Sequence, residues 1–153
     1  MRILIAACFA LIALCSGATL ASAQTSPTPD QAKALVEKGV AFWASAGKDA
    51  AVAAFADPAG GWNDGGLYLV VHADDDKLTM ISHPNKALIG KPQVDQKDAE
   101  GRLFNQEMKA AVAKSGEAWI SYKWPNPATK KIAPKKSYFK KVGDVIIAAG
   151  VYE

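Results

Sequence analysis

Three strand-like segments near the C-terminus most narrowly constrain the fold of this 153-residue chain. Residues 117–124, 135–142 and 144–152 are rich in β-branched and aromatic side chains, which favour strands. Gly143 and Asp144 leave room only for a tight turn between the last two segments, and strands joined by a tight turn are antiparallel. The sequence therefore predicts an antiparallel sheet at this end of the protein.

A long amphipathic helix is predicted earlier in the chain. Thr28 is the predicted N-cap, Pro29 occupies the first helical position, and Gln31 completes a capping box. We expect this helix to end at Gly47 in a left-handed conformation, and residues 49–56 to form a second, shorter helix. The apolar side chains that recur at helical spacing along the first helix are Ala32, Leu35, Val36, Gly39, Phe42, Trp43 and Ala46.

The middle of the chain predicts a hairpin and a third helix. Residues 67–73 and 78–82 are predicted strands, joined by a solvated turn at residues 74–76. We expect Asp98 to cap a helix over residues 99–114, whose apolar face carries Phe104, Met108, Ala111 and Val112. The order helix, helix, strand, strand, helix and three strands predicts an α+β fold, with about five antiparallel strands covered by helices on one side.

The N-terminus has the layout of a secretory signal peptide. Arg2 supplies a positive charge, residues 3–14 are almost continuously apolar, and Ala21-Ser22-Ala23 offers small residues at a cleavage site. Residues 1–23 are therefore predicted to be removed, which leaves residues 24–153 as one periplasmic or secreted domain.

Two alternatives to cleavage are a membrane anchor and a lipoprotein modified at Cys15. The apolar run is short for a bilayer span, which needs about 20 residues, and Leu14 is larger than lipoprotein processing prefers. We therefore expect no stable membrane insertion after cleavage. Both cysteines, Cys8 and Cys15, precede the cleavage site, so the mature domain has no disulfide and is held together by its core.

Composition and motifs exclude several classes of function. The formal net charge of +3 is too small to indicate a nucleic-acid partner. The sequence has no glycine-rich phosphate loop, nucleophile elbow or haem motif, so we predict no cofactor. His72 and His83 are fewer than the three or four ligands of a zinc site, and the aspartates at residues 74–76 lack the spacing of a calcium loop. The enzymatic alternative is a small hydrolase using His83 with Asp98.

Aromatic and basic residues concentrate on the predicted strands. One interpretation is a pocket for a small carboxylate, in which rings exclude water while tyrosine hydroxyls and a lysine bind the anion. The other is that the rings belong to the core and the lysines protect a sheet edge. The pattern alone does not separate these interpretations. The residues concerned are Tyr68, Trp119, Tyr122, Trp124, Lys135, Lys136, Tyr138 and Tyr152.

Seven short motifs, in order, resemble the single Cache domain family. The resemblance as a whole extends over nearly all of the predicted mature chain, from about Gln31 to Glu153. Two positions depart from the pattern: Glu117 stands where a glycine is expected, and Lys136 is basic where an apolar residue is usual, so Lys135 and Lys136 could exchange roles. The motifs fall at residues 65–71, 82–84, 88–91, 98–101, 119–125, 134–138 and 149–152.

The resemblance implies a long N-terminal helix packed on a PAS-like sheet, and an extracytoplasmic sensing role with small ligands such as short carboxylic acids. It favours a binding domain over an enzyme, and we expect the chain to have no signalling domain of its own. The partners it implies are a small organic acid and a membrane sensor protein; a ligand-free interaction partner of a membrane receptor is the remaining alternative. The ligand-facing residues it implies are Tyr68, His83, Trp119, Tyr122, Trp124, Lys135 and Tyr138.

We expect Tyr68, Tyr122, Lys135 and Tyr138 to point into one cavity, on the sheet face away from the long helix. Lys135 and Tyr138 are three residues apart, so in a regular strand they face opposite ways. Both can reach one cavity only across a bulge, or if Lys135 lies in the loop before the strand. We favour the loop, because Pro134 precedes Lys135.

Overall fold

The computed structural model describes residues 26–64 and 66–153. The predicted signal peptide and both cysteines lie outside the described residues. Three α-helices are present in this part of the chain: α1 (Pro29–Ala46), α2 (Lys48–Ala56) and α3 (Phe104–Ser115). The strands are β1 (Asn63–Asp64), β2 (Leu67–Tyr68), β3 (Val70–Ala73), β4 (Met80–Ser82), β5 (Glu117–Pro125), β6 (Ile132–Val142) and β7 (Val145–Tyr152).

The main sheet has five strands in the order β4-β3-β7-β6-β5, and every neighbouring pair is antiparallel. The predicted α+β fold with about five antiparallel strands is therefore confirmed. A separate two-stranded ladder joins β1 to β2. No helix within the described residues has the length and apolar character needed to cross a bilayer.

The start of α1 follows from its capping box. The Thr28 hydroxyl accepts the Gln31 N–H at 3.3 Å, and the Thr28 N–H donates to Gln31 Oε1 at 2.8 Å. Two of the backbone groups that a helix leaves unpaired at its N-terminus are thereby satisfied. Gly47 ends the helix with a φ of +83°, a value that favours glycine, although its ψ of 166° lies outside the expected left-handed helical region.

The sheet is covered on both faces, not on one side as the sequence predicts. Alternate residues of β7 explain this arrangement. Val145, Ile147, Ala149 and Val151 pack with Ala32 and Val36 of α1. Ile146 and Ala148, between them, pack on the other face with Met108 and Val112 of α3. Because β7 has no polar side chain from Val145 to Val151 and all seven residues are buried, each face of the sheet needs its own helix.

The predicted start of the third helix is wrong by five residues. Gly101 has a φ of +83°, which interrupts helical backbone, and α3 begins only at Phe104. Asp98 instead holds the loop that leads into α3. Its carboxylate accepts N–H groups of Glu100 and Arg102, each at 2.9 Å, and of Lys123 at 3.2 Å. Asp98 therefore ties this loop to β5 instead of capping the helix.

Aspartate side chains shape the turn between β3 and β4. Asp75 Oδ1 accepts the N–H groups of Lys77 and Thr79, both at 3.0 Å, and Asp75 Oδ2 accepts the Thr79 hydroxyl at 2.8 Å. Leu78 adopts a φ of +49°, so regular pairing of β4 begins at Met80, two residues later than predicted. Within residues 26–64 and 66–153, no group of three or more His, Cys, Asp or Glu side chains is arranged to hold a metal ion.

Candidate functional site

A cavity of about 80 Å³ lies between the sheet and the chain segments packed on its α3 side. Its floor is formed by residues of β3, β6 and β7, and its wall by β5, by the start of α3 and by the loop that precedes α3. The lining residues are Tyr68, Val70, His72, Met80, His83, Leu88, Gln93, Gln96, Phe104, Asn105, Tyr122, Trp124, Lys135, Ser137, Phe139, Ala148, Ala149 and Gly150.

Lys135 is the one cationic side chain in this lining, and no lining residue is acidic. The residue is 7 % exposed. Its Nζ lies 3.5 Å from the Tyr68 hydroxyl, 5.2 Å from the centroid of the Tyr68 ring and 4.9 Å from that of Tyr152. The rings offer the ammonium partial compensation through their π faces, but no full negative charge. Burial accordingly lowers the Lys135 pKa from 10.5 to about 8.

Both histidines of the described chain line the cavity as neutral rings. Burial, with a smaller effect of the Lys135 charge, lowers the pKa of His83 to about 4. Burial, with a smaller effect of His83, lowers that of His72 to about 4. His83 Nδ1 accepts the Asn85 N–H at 2.8 Å, so the ring proton of neutral His83 sits on Nε2, as a hydrogen-bond donor. His72 Nδ1 is buried and has no hydrogen-bond partner.

Aromatic rings exclude water from the end of the cavity nearest α3. Phe104 stacks on Tyr122 with ring centroids 4.1 Å apart and planes 13° from parallel, and Trp124 lies 5.5 Å from Phe104. The Tyr122 hydroxyl is hydrogen-bonded to Ser137 Oγ at 3.0 Å, which satisfies both buried groups. Burial raises the pKa of Tyr68 and of Tyr122, so both phenols are neutral at physiological pH.

The family model for single Cache domain 2 matches residues 47–153 of the chain. This chain is a single Cache domain protein. Domains of this family are extracytoplasmic sensor modules that bind small ligands. The match begins at the start of α2, so α1 lies before the matched region, and the whole cavity lies within it.

Solved sensor domains share the fold of this Cache domain. A periplasmic sensor domain of a chemotaxis protein is 26 % identical, with a TM-score of 0.62, over 80 % of this chain and 88 % of that one. A methyl-accepting chemotaxis protein from Vibrio parahaemolyticus is 22 % identical, with a TM-score of 0.67; the match covers 80 % of this chain and 86 % of that one. A third structure is described as the structural basis for carboxylic acid recognition by a Cache chemosensory domain. It is 24 % identical, with a TM-score of 0.61, and the match covers 80 % of this chain and 86 % of that one.

Five of the seven residues predicted to face a ligand line the Cache cavity: Tyr68, His83, Tyr122, Trp124 and Lys135. Their roles in binding stay predictions. The expectation that Lys135 lies in the loop before the strand is wrong, because Lys135 is in regular β6, paired with Tyr122 and Tyr152. The strand alternation therefore applies without a bulge, and it decides which neighbours share the cavity.

Trp119 and Tyr138 do not reach the cavity, contrary to prediction. They are paired across β5 and β6, pack on each other with centroids 5.1 Å apart, and face α1. The Tyr138 hydroxyl donates to Glu117 at 2.6 Å and lies 3.3 Å from Glu37 Oε1 of α1. The reason is the two-residue repeat of β6: Lys135, Ser137 and Phe139 face the cavity, so Tyr138 points the other way.

Sequence reasoning missed several lining residues, of which Phe104, Ser137 and Gly150 matter most to the geometry. Ser137 follows from Lys135 by the strand alternation, since it is two residues further along. The sequence predicts Phe104 only as part of the apolar face of the third helix. The need for glycine at position 150 follows only from the three-dimensional structure. A Cβ at this position would overlap Ser137 Oγ and would lie 2.9 Å from Lys135 Cε.

The pairing of His83 with Asp98, on which the hydrolase alternative depends, does not form. Asp98 is absent from the cavity lining, and its carboxylate is taken up by three backbone N–H groups. His83 Nδ1 is likewise taken up by the Asn85 N–H. The geometry therefore offers a binding cavity and no general base held by a carboxylate.

Proposed function

We propose that this Cache domain binds a short monocarboxylate in the cavity, with Lys135 as its counter-charge. One observation carries the proposal: a buried ammonium in a cavity that has no acidic residue in its lining. A bound carboxylate supplies the missing negative charge and accepts hydrogen bonds from Lys135 Nζ and the Tyr68 hydroxyl. Charge-assisted hydrogen bonds of this kind contribute about 1.5–3 kcal/mol each.

The remaining lining determines what the rest of the ligand can be. Beyond Lys135 the cavity offers aromatic and aliphatic surface, neutral imidazoles and amides. These groups accommodate a short apolar chain or an uncharged oxygen. They offer no second cation and no carboxylate for an ammonium. The volume of about 80 Å³ is below the roughly 300–1,000 Å³ typical of sites for drug-sized ligands, which favours ligands of only a few heavy atoms.

Three-carbon acids test this charge selectivity directly. Propionate is expected to bind, whereas malonate, which adds a second carboxylate, and alanine, which adds an ammonium, are expected to bind at least about a hundredfold more weakly. Each added charge would be buried without a partner, at a cost of several kcal/mol. Titration calorimetry at pH 7 measures the three affinities. Malonate or alanine binding as tightly as propionate would contradict the proposed charge arrangement.

The affinity for propionate should depend on pH in a way set by Lys135. The free amine has a pKa of about 8, and a bound carboxylate raises it. Affinity is therefore expected to be flat from about pH 6 to 7.5 and to fall up to about tenfold per pH unit above 8, with proton uptake on binding. The histidines titrate near 4, and the tyrosines remain protonated. Calorimetry at pH 7, 8 and 9 measures this; an unchanged affinity at pH 9 would exclude Lys135 as the counter-charge.

We further propose that the domain acts outside the cytoplasm, as residues 24–153. The support is the charged, apolar and small-residue order of residues 1–23, together with the family's extracytoplasmic role. N-terminal sequencing of the protein exported from a bacterial host is expected to begin at Gln24. A lipid-modified Cys15 at the new N-terminus would contradict this and would support the lipoprotein alternative.

A further inference from the structure

The Lys135 amine has a second chemical property that ion pairing does not use. An ordinary surface lysine is held in its charged form by water, but Lys135 is almost completely withdrawn from water and has no acidic neighbour in the cavity. In the ligand-free protein, its pKa of about 8 leaves about a fifth of the amine uncharged at pH 7.4, a fraction that a bound carboxylate lowers. An uncharged lysine amine facing an apolar cavity is a nucleophile toward carbonyl carbon.

We propose that Lys135 forms a reversible imine with a small 2-oxo acid bound in this cavity. The inference rests on the proposed function, because the carboxylate of the same acid places its carbonyl beside Nζ. The nitrogen lone pair adds to the carbonyl carbon, giving a carbinolamine. One amine proton moves to the carbonyl oxygen as the C–N bond forms. The resulting hydroxyl takes a second proton, the C–O bond breaks as water leaves, and a C=N bond to Nζ replaces the C=O bond. No oxidant, reductant or metal is needed, and hydrolysis reverses the step.

The surroundings of Nζ supply what imine formation requires. Water leaves the carbinolamine only if its oxygen is protonated, and the Tyr68 hydroxyl, 3.5 Å from Nζ, is a neutral proton donor at that distance. The other groups facing the amine are the Tyr122 and Tyr152 phenols and the His83 ring, all uncharged at pH 7.4. None of these protein groups holds the amine in its charged form. The carboxylate of the bound acid does favour the charged form, so the lone pair adds only after Nζ has lost its proton.

The charge balance of the product also fits the cavity. A protonated imine carries one positive charge at the former Nζ, so the carboxylate of the 2-oxo acid keeps a counter-charge within its own adduct. The adduct is neutral as a unit, which suits a lining without acidic residues.

Reductive trapping tests the inference with the wild-type protein. Pyruvate and sodium cyanoborohydride are added at pH 7.4, with lactate as the matched ligand, since it has the same skeleton but a hydroxyl in place of the carbonyl. Intact mass is expected to show one stoichiometric adduct with pyruvate and none with lactate. Peptide mapping is expected to place the adduct on Lys135, and excess propionate is expected to suppress it. No adduct, or adducts spread over surface lysines and insensitive to propionate, would overturn the inference.

Two variants separate this chemistry from simple ion pairing. Lys135→Arg keeps the positive charge but cannot form an imine, so it should give no adduct at this position. Lys136→Arg changes the next residue, whose amine lies over Trp119 on the other face, and should trap pyruvate like the wild type. If Lys135→Arg does not fold, peptide mapping of the wild-type adduct still shows whether the imine forms on Lys135. Lactate and propionate binding without any trapped pyruvate would overturn only the imine, whereas failure of both acids to bind would overturn the proposed function.

Discussion

Replacing Lys135 with methionine is expected to stabilise the ligand-free protein by about 3 kcal/mol at pH 7, while weakening carboxylate binding by about tenfold to a hundredfold or more. The stability gain follows from the pKa of the amine, which falls from 10.5 to about 8 on folding. That fall corresponds to a penalty of about 3 kcal/mol on the charged amine in the folded state. Methionine fills a similar volume with no charge to desolvate, so the penalty disappears.

The pH dependence of this gain has a defined sign. Because the folded pKa lies below the unfolded one, the wild-type penalty is fully present below pH 8 and is relieved as the pH rises toward 10.5. The stability difference between Lys135→Met and the wild type should therefore be largest near pH 7 and shrink above pH 8. Urea unfolding at pH 7 and pH 9 measures it in both proteins. Equal stabilities at pH 7 would show that the amine is better solvated than its burial implies.

Binding is expected to change in the opposite direction from stability in the same variant. Removal of the ammonium leaves the ligand carboxylate buried with only hydroxyl and imidazole donors. Propionate affinity should fall by about tenfold to a hundredfold or more, since one charge-assisted hydrogen bond contributes about 1.5–3 kcal/mol. Lys136→Met is the matched control, because Lys136 lies on the opposite face of β6, over Trp119. It should leave the affinity for propionate unchanged.

Local signals in the sequence predicted most of the fold correctly. The Thr28 capping box fixed the start of α1, and the tight turn at Gly143 fixed the antiparallel pairing of β6 with β7. Both depend on contacts within a few residues, which sequence patterns report directly. The start of α3 was mispredicted because Asp98 has two competing uses, as a helix cap or as an acceptor for loop N–H groups. Its partner Lys123 is distant in sequence, so the choice is made by tertiary structure.

The candidate site was less predictable than the fold. Strand alternation separated Tyr122 from Trp119 correctly, and the same rule applied to β6 would have excluded Tyr138. The motif resemblance places Tyr122, Trp119 and Tyr138 near a ligand. Strand alternation predicts their positions better, because only Tyr122 lines the cavity. Phe104 completes the wall only because α3 packs on β5, a contact that no local pattern specifies.

A methyl group added at Gly150 should displace Ser137 and Lys135 in the cavity lining. Gly150 pairs with Ser137 across β7 and β6, and its Cβ in Gly150→Ala would overlap Ser137 Oγ and come within 2.9 Å of Lys135 Cε. Ser137 holds the Tyr122 hydroxyl, so its displacement also disturbs the aromatic wall. We expect propionate affinity to fall by at least about tenfold, with a loss of roughly 1–3 kcal/mol in stability from overpacking.

Gly39→Ala separates the local effect on the site from a general effect of overpacking. Its Cβ would lie 2.7 Å from Leu69 Cδ1, so it also crowds the core, although less severely, and on the α1 face of the sheet. The contact is with the flexible end of a side chain, which can move aside. Calorimetric titration of both variants, at a temperature where each is folded by circular dichroism, should show weakened binding only in Gly150→Ala. If Gly150→Ala binds propionate as the wild type does, the ligand does not sit against Lys135 and Ser137, because neither residue can keep its position beside the added methyl.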